Sequence, residues 1–351
     1  MPKVTAHPQL RKDPVTREWV IVATGRSKRT DEFKIVAEPP LREHEDACPF
    51  CPGNEYMTPP EVLAYRSADS APNKPGWWAR VVPNKFPALA IEGELDRTGY
   101  GMYDQMNGIG AHEVIIESVD HNRSIATVTG LQAQEVFWAY RDRVLDLTQD
   151  KRFQYILLFK NKGRIGGASQ PHSHCQLVAT PIVPANVMLK IAGAARYYDF
   201  HDRCIYCDML KQEEQLGERI VAQNPEFVAF CPFAAKYPYE TWIMPRRHMP
   251  SFAAMERGTI NAFASICQYI LRCIGASLND PPYNFMLHTA PVNQDRECDF
   301  HWHLTIMPRL TIAAGFELGT GIYINVTAPE DAASDLRVAE LNFNIPPVAV
   351  A

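Results

Sequence analysis

Five residues with chemical potential occur in one order and then occur again. Cys48 and Cys51 form a C-x-x-C pair, followed by His121 and then by His172 and His174, two residues apart. The second copy is Cys204, Cys207, His248, His301 and His303, displaced by 156, 156, 127, 129 and 129 residues. Nine cysteines and eleven histidines do not fall into five matched positions by chance, so the chain reads as an internal duplication. Structural zinc takes four ligands that mix thiolate and imidazole. Cys48, Cys51, His121 and His172 supply one such set, and Cys204, Cys207, His248 and His301 supply the other. Neither set leaves a position for substrate, which makes both metals structural. A redox role for the C-x-x-C pairs would need a thioredoxin-like helix pattern after Pro49 and Phe50, and none follows.

With His172 assigned to metal, His174 is left to do chemistry. A neutral imidazole can attack phosphorus and split one hard displacement into two easier ones. It needs one nitrogen exposed and the other held by an acceptor such as a backbone carbonyl. Gln176, two residues on, carries an amide that can donate to phosphoryl oxygens as charge builds there. The preceding segment, 161–170, is glycine-rich and contains Asn161, Lys162, Gly163, Arg164 and Ser169, a composition suited to wrapping a diphosphate. Near the N-terminus, Arg26 and Arg29 follow a strand-like WVIVATG, where cations could neutralise a diphosphate or form a solvated turn.

These residues need elements to position them. HEVIIESVDH and ETWIMPRRH carry the β-branched alternation of strands. LQAQEVFWAYRDRVLDLTQD places Val136, Phe137, Tyr140, Val144 and Leu147 on one helical stripe, and Phe263, Ile266, Ile270 and Ile274 form its counterpart. Each helix is followed by a strand, FQYILLFKN or YNFMLHTAP, and then by a strand holding the H-x-H pair. Alternation along that strand puts His172, His174 and Gln176 on one face, and His301 and His303 likewise. The order defines an α+β unit with a mainly antiparallel sheet and a packed helix, used twice. The expected domains are 1–190 and 191–351, joined by a connecting helix within 183–202. The glycines of GFELGTGIYIN suggest a turn or a ligand loop, and APEDAASDLRVAEL starts a final helix.

The totals narrow the function classes. A chain of 351 residues suggests two domains. A formal charge of −5 provides no basic field for nucleic acid or anionic membrane. No apolar run reaches the roughly 18 residues of a membrane span, and the N-terminus lacks a signal peptide's apolar core. The expectation is a cytoplasmic protein, with no nucleic acid and no membrane as partners. Reducing conditions there favour metal binding over disulfides.

The segments RKDPVTREWVIVATGRSKR, CPFCPGNE, VVPNKFPAL, HEVIIESVDH, FKNKG and GASQPHSHCQ resemble the galactose-1-phosphate uridylyltransferase family of the histidine triad superfamily, over essentially the whole chain. The resemblance implies two tandem histidine-triad-like domains and a nucleophile at His174 assisted by Gln176 and Ser169. The second half is expected to be catalytically silent, because Leu-Thr-Ile after His303 offers no glutamine and ECDFHW before it no glycine-rich loop. It implies substrate contacts from Arg26, Arg29, Asn84, Phe86, Asn161, Lys162, Gly163, Phe316 and Glu317. It also implies a homodimer and a ping-pong mechanism. In that mechanism a nucleotide diphosphate sugar leaves its NMP on His174, releases a hexose 1-phosphate, and a second acceptor takes the NMP. UDP-glucose and galactose 1-phosphate are the expected substrates. ADP-glucose with inorganic phosphate is the alternative, because H-S-H in place of H-P-H, the complete second Cys-Cys-His-His set and the divergent tail resemble a plant-type ADP-glucose phosphorylase branch.

Two further classes compete. A hydrolase of the superfamily would carry a third histidine at position 176, where this chain has glutamine. A non-catalytic zinc module binding nucleic acid or protein is disfavoured by the charge. His303, His288 and Lys160 are candidates to line a sugar pocket.

Overall fold

The computed structural model describes residues 7–23, 33, 40–292 and 299–339. Arg26 and Arg29 lie outside the described residues. In chain order the first half holds β1 (Gln9–Lys12), β2 (Trp19–Val22), β3 (Leu63–Arg66), β4 (Trp77–Pro83), β5 (Thr98–Tyr100), β6 (Tyr103–Gln105), β7 (Ala111–Ile116), α1 (Gly130–Leu147), β8 (Tyr155–Lys162) and β9 (His174–Thr180). The helices α2 (Ala185–His201) and α3 (Ile205–Leu216) follow. The second half continues with β10 (Ile220–Gln223), β11 (Phe227–Phe230), β12 (Thr241–Pro245), α4 (Arg257–Leu278), β13 (Tyr283–His288), β14 (His303–Pro308), α5 (Gly315–Thr320), β15 (Tyr323–Asn325) and α6 (Pro329–Arg337).

Ten strands form one antiparallel sheet in the order β10-β11-β12-β14-β13-β8-β9-β7-β4-β3. From its centre outward the first half runs β8-β9-β7-β4-β3 and the second runs β13-β14-β12-β11-β10, so each half repeats the other's chain order. The join is β8 against β13, with Asn161 opposite Asn284 and Leu158 opposite Leu287. Pairing these two edges satisfies backbone groups that would otherwise template association. The expected division between residues 190 and 191 falls inside α2. A smaller sheet, β1-β2-β15, closes the N-terminal strands onto the tail.

The two long helices lie together on one face of the large sheet. The expected stripe of α1 is buried, as is that of α4. Phe137 meets Phe263 edge-on at 5.0 Å across the helix pair. Thr129 starts α1 by accepting the Gln132 N–H through its hydroxyl. Phe263, fully buried against Phe227, Phe252 and Trp302, anchors this layer. Its truncation to alanine would cost about 3–5 kcal/mol. Cys267 and Cys273 are buried on α4, as expected of small hydrophobes.

Two local differences from the sequence reading stand out. β9 begins at His174 and β14 at His303, so His172 and His301 precede the pleat rather than share it. His172 lies in the bend before β9 and contacts the carbonyl of Ser118. In the tail, residues 315–320 form a short helix, not a turn. The Glu317 carboxylate accepts the Ala314 N–H, and Gly321 at φ +72° ends the helix in a conformation that favours glycine.

Candidate functional site

The structure gathers both expected ligand sets. Cys48, Cys51, His121 and His172 offer ligand atoms within 4.8 Å of one another, and so do Cys204, Cys207, His248 and His301. His172 Nε2–H donates to the Ser118 carbonyl at 2.8 Å, which leaves Nδ1 unprotonated and facing inward. That Nδ1 stands 3.6 Å from Sγ of both Cys48 and Cys51, and His121 Nδ1 stands 3.5 Å from Cys51. In the second set Cys207 Sγ lies 3.4 Å from His248 Nδ1 and 3.5 Å from His301 Nδ1. Bonds of about 2.3 Å to sulfur and 2.0–2.1 Å to nitrogen at a tetrahedral angle place S and N about 3.6 Å apart. Both sets therefore have the dimensions of a closed four-ligand cage. Burial pushes the Cys48 thiol up to about 11.

Beside the first cage, His174 opens β9. Its Nδ1–H donates to the His172 carbonyl at 2.8 Å, which leaves the Nε2 lone pair as the reactive end. Burial, then the charge of Lys160, holds its pKa below the usual imidazole value, so the ring is neutral at neutral pH. Phe50 of the C-x-x-C loop packs on the ring at 5.3 Å. The cage and the nucleophile candidate thus share a backbone carbonyl and a packing residue.

Gln176 follows on the same face. The Ala88 N–H donates to His112 Nδ1, and His112 Nε2 lies 2.9 Å from the Gln176 amide. His112 was missed in the sequence, although its alternation with Val114 and Ile116 on β7 puts it opposite Val178, on the Gln176 face. Asn84 accepts the Phe86 N–H at 2.9 Å in a tight turn and brings its Nδ2 within 3.1 Å of His112. Phe86 is 83% exposed, a flat surface free to meet a base.

Lys160 does not line a pocket. It points to the opposite face of β8, into the core, and donates to Glu117 at 2.5 Å, to Ser173 Oγ at 3.0 Å and to the His174 carbonyl at 3.0 Å. Glu117 also accepts from Tyr140 and from Ser173 at 2.6 Å. This buried network grips the backbone on both sides of the His174 ring.

Asn161 lies two residues from Phe159, which pairs with Gln176, so it shares the His174 face. Lys162 is turned to Asp280 and stacks over Tyr283. Gly163 adopts φ +74° at the start of the loop, and Ser169 is exposed within it. Phe316 and Glu317 sit on α5, which packs against β15 of the small sheet.

The second half repeats the geometry with a different outcome. His303 Nδ1 donates to the His301 carbonyl at 3.1 Å, as His174 does. Its Nε2, however, lies 3.3 Å from Lys190 Nζ of α2, which donates to it. The ring is stacked between Trp242 at 4.5 Å and His288 at 4.8 Å. Among the described residues no helix is long and apolar enough to cross a membrane.

Residues 2–184 match the galactose-1-phosphate uridyl transferase N-terminal domain, and residues 109–343 match a domain of unknown function (DUF4921). The chain is 36% identical to ADP-glucose phosphorylase of Arabidopsis thaliana, covering 95% of this chain and 93% of that one. It is 29% identical to galactose-1-phosphate uridylyltransferase of Thermotoga maritima, covering 95% and 99%. The crystal structure of the Arabidopsis thaliana ADP-glucose phosphorylase with bound ADP-glucose superposes with a TM-score of 0.80 at 34% identity, covering 95% of this chain and all of that one. A match over more than half the chain, with a relative above 30% identity along nearly its whole length, makes this protein a nucleotidyltransferase of the galactose-1-phosphate uridylyltransferase family.

Proposed function

We propose that the protein transfers a nucleotidyl group by a ping-pong mechanism through His174, with an ADP-hexose as donor and inorganic phosphate as acceptor. The observation that carries the covalent step is the fixed tautomer of His174, whose Nδ1 is committed to the His172 carbonyl. Nε2 attacks the α-phosphorus of the donor, and the bond to the oxygen bridging to the β-phosphorus breaks, releasing hexose 1-phosphate. A phosphate oxygen then attacks the same phosphorus, the P–N bond breaks, and ADP leaves with His174 restored. Gln176 donates its NH2 to the non-bridging oxygens as charge grows on them. The Asn84–Phe86 turn takes the nucleoside, and Asn161, Gly163 and Ser169 surround the phosphates. Lys162, Phe316 and Glu317 remain assigned to substrate by family resemblance.

The adenylyl donor is supported by the higher identity to the phosphorylase, 36% against 29%. Uridylyl transfer from UDP-glucose to galactose 1-phosphate is the second reading, favoured by the family match over residues 2–184. Both cages are assigned to structural zinc, and the second half to a silent copy because Lys190 occupies the lone pair of His303. The homodimer implied by the resemblance and the cytoplasmic setting expected from the sequence belong to the same proposal. The test is His174→Ala. Turnover of ADP-glucose with phosphate should vanish while metal content stays at two zinc per chain; loss of a zinc would mean that ligand and nucleophile have been exchanged.

A further inference from the structure

We infer that Asn284, on β13 of the second half, is a positioning residue that fixes which end of the Asn161 amide faces the nucleotide phosphates. The inference rests on the nucleotidyl-transfer function proposed above. Asn284 reaches the Gly166 carbonyl at 2.6 Å, and a backbone carbonyl can only accept, so the atom of Asn284 placed there must be its Nδ2. The same Nδ2 lies 2.8 Å from Asn161, so the near atom of Asn161 must be Oδ1. The Asn161 NH2 is therefore turned away from Asn284. It lies beside Gly167 of the glycine-rich loop, where a Cβ added to that glycine would sit 3.7 Å from Asn161 Nδ2.

The loop is built to hold this polarity. A Cβ at Gly166 would meet the Lys162 carbonyl oxygen at 2.2 Å and the Tyr283 carbonyl oxygen at 3.0 Å, so only glycine lets its carbonyl come down onto β13. Gly167 continues at φ +87°, in the left-handed region that favours glycine. The register puts Asn284 directly opposite Asn161 across the join between halves. Both are half-exposed on the His174 side of the sheet. One side chain from the second half thus keeps a donor, rather than an acceptor, aimed at the anionic substrate. This gives the silent half a part in the chemistry of the active one.

The experiment is a double-mutant cycle read as the rate of NMP adduct formation on His174 with ADP-glucose or UDP-glucose, whichever labels the wild type. Asn284→Asp replaces the donor by an acceptor, draws the Asn161 NH2 toward itself and turns Oδ1 to the phosphates. Its adduct rate should fall about 100-fold, the scale of losing one donor to a developing charge. Asn284→Ala, which frees the Asn161 amide to rotate, should cost about tenfold. In an Asn161→Ala background both substitutions should change the rate less than about threefold, because their target is gone. If the Asn161→Ala rate is too low to follow, the same cycle is read as nucleotide-sugar affinity in the His174→Ala protein. Wild-type behaviour of Asn284→Asp, or an undiminished loss in the Asn161→Ala background, would overturn the inference and leave the transfer function standing. A wild type that forms no adduct with any nucleotide sugar would overturn the function itself. Zinc content and thermal unfolding of each variant report folding; should Asn284→Asp not fold, the Asn284→Ala arm decides by the same criterion.

Discussion

Lys160→Met tests whether the His174 backbone is held by a buried charge. The side chains of Lys160 and Glu117 are 2% and 0% exposed, and Nζ makes bonds to Glu117, Ser173 and the His174 carbonyl. Methionine keeps most of the apolar stem and removes the ammonium. Glu117 then retains the hydroxyls of Tyr140 and Ser173 but loses its counter-charge. Breaking a buried pair from one side costs about 3–5 kcal/mol. For 351 residues, an unfolding entropy of about 2.1 cal/mol/K per residue amounts to about 0.7 kcal/mol/K, so Tm should drop by about 4–7 °C. Lys160→Met/Glu117→Gln removes both charges and should recover most of the loss. Below its Tm the single variant should also transfer nucleotide more than tenfold slower, because a nucleophile displaced by even 1 Å can lose about 100-fold. Thermal and denaturant unfolding of the three proteins, with turnover measured alongside, gives the comparison. A single variant within about 1 kcal/mol of wild type, or a double variant no more stable than the single, would refute the buried-charge argument.

Gln176→His supplies the third histidine of the hydrolytic pattern, so product should shift from nucleotidylated acceptor to free NMP; unchanged partitioning by chromatography would count against the role given to Gln176. Burial lowers the Lys190 pKa to about 8, below the roughly 10.4 of a free lysine. The unfolded chain therefore binds more protons between those values, and stability should rise with pH across that window. Lys190→Met should flatten the rise, and an identical profile in wild type and variant would show that Lys190 is not its source. Cys204→Ser should lower zinc from two to one per chain by metal analysis and reduce stability, with the first cage still loaded; two zinc retained would remove Cys204 from the ligand set.

Much of the site was legible because its residue types are scarce and their order is repeated. Cys48, Cys51, His121 and His172 are brought together, as are their four counterparts, and the carbonyl partner expected for His174 Nδ1 is the His172 carbonyl. The stripes of α1 and α4 were readable from period alone. What escaped the sequence depends on long-range register. Nothing in FQYILLFKN or YNFMLHTAP says that these strands are each other's neighbour, so the fused sheet and the Asn161–Asn284 pair were invisible. Lys160 was a candidate to line a sugar pocket, and only the pleat shows that it points into the core. His172 was placed on the H-x-H strand because alternation was extended one step too far, past the point where the chain bends to reach Ser118.

The covalent step is the centre of the account, and intact mass reports it directly. The protein is exposed briefly to ADP-glucose and, separately, to UDP-glucose, with no acceptor. An AMP-sized increment from ADP-glucose, absent in His174→Ala and discharged by phosphate, is the expected result. A UMP-sized increment from UDP-glucose alone would keep the mechanism and move the donor to the second reading. No nucleotide adduct from either sugar, or an adduct that persists in His174→Ala, would contradict the mechanism.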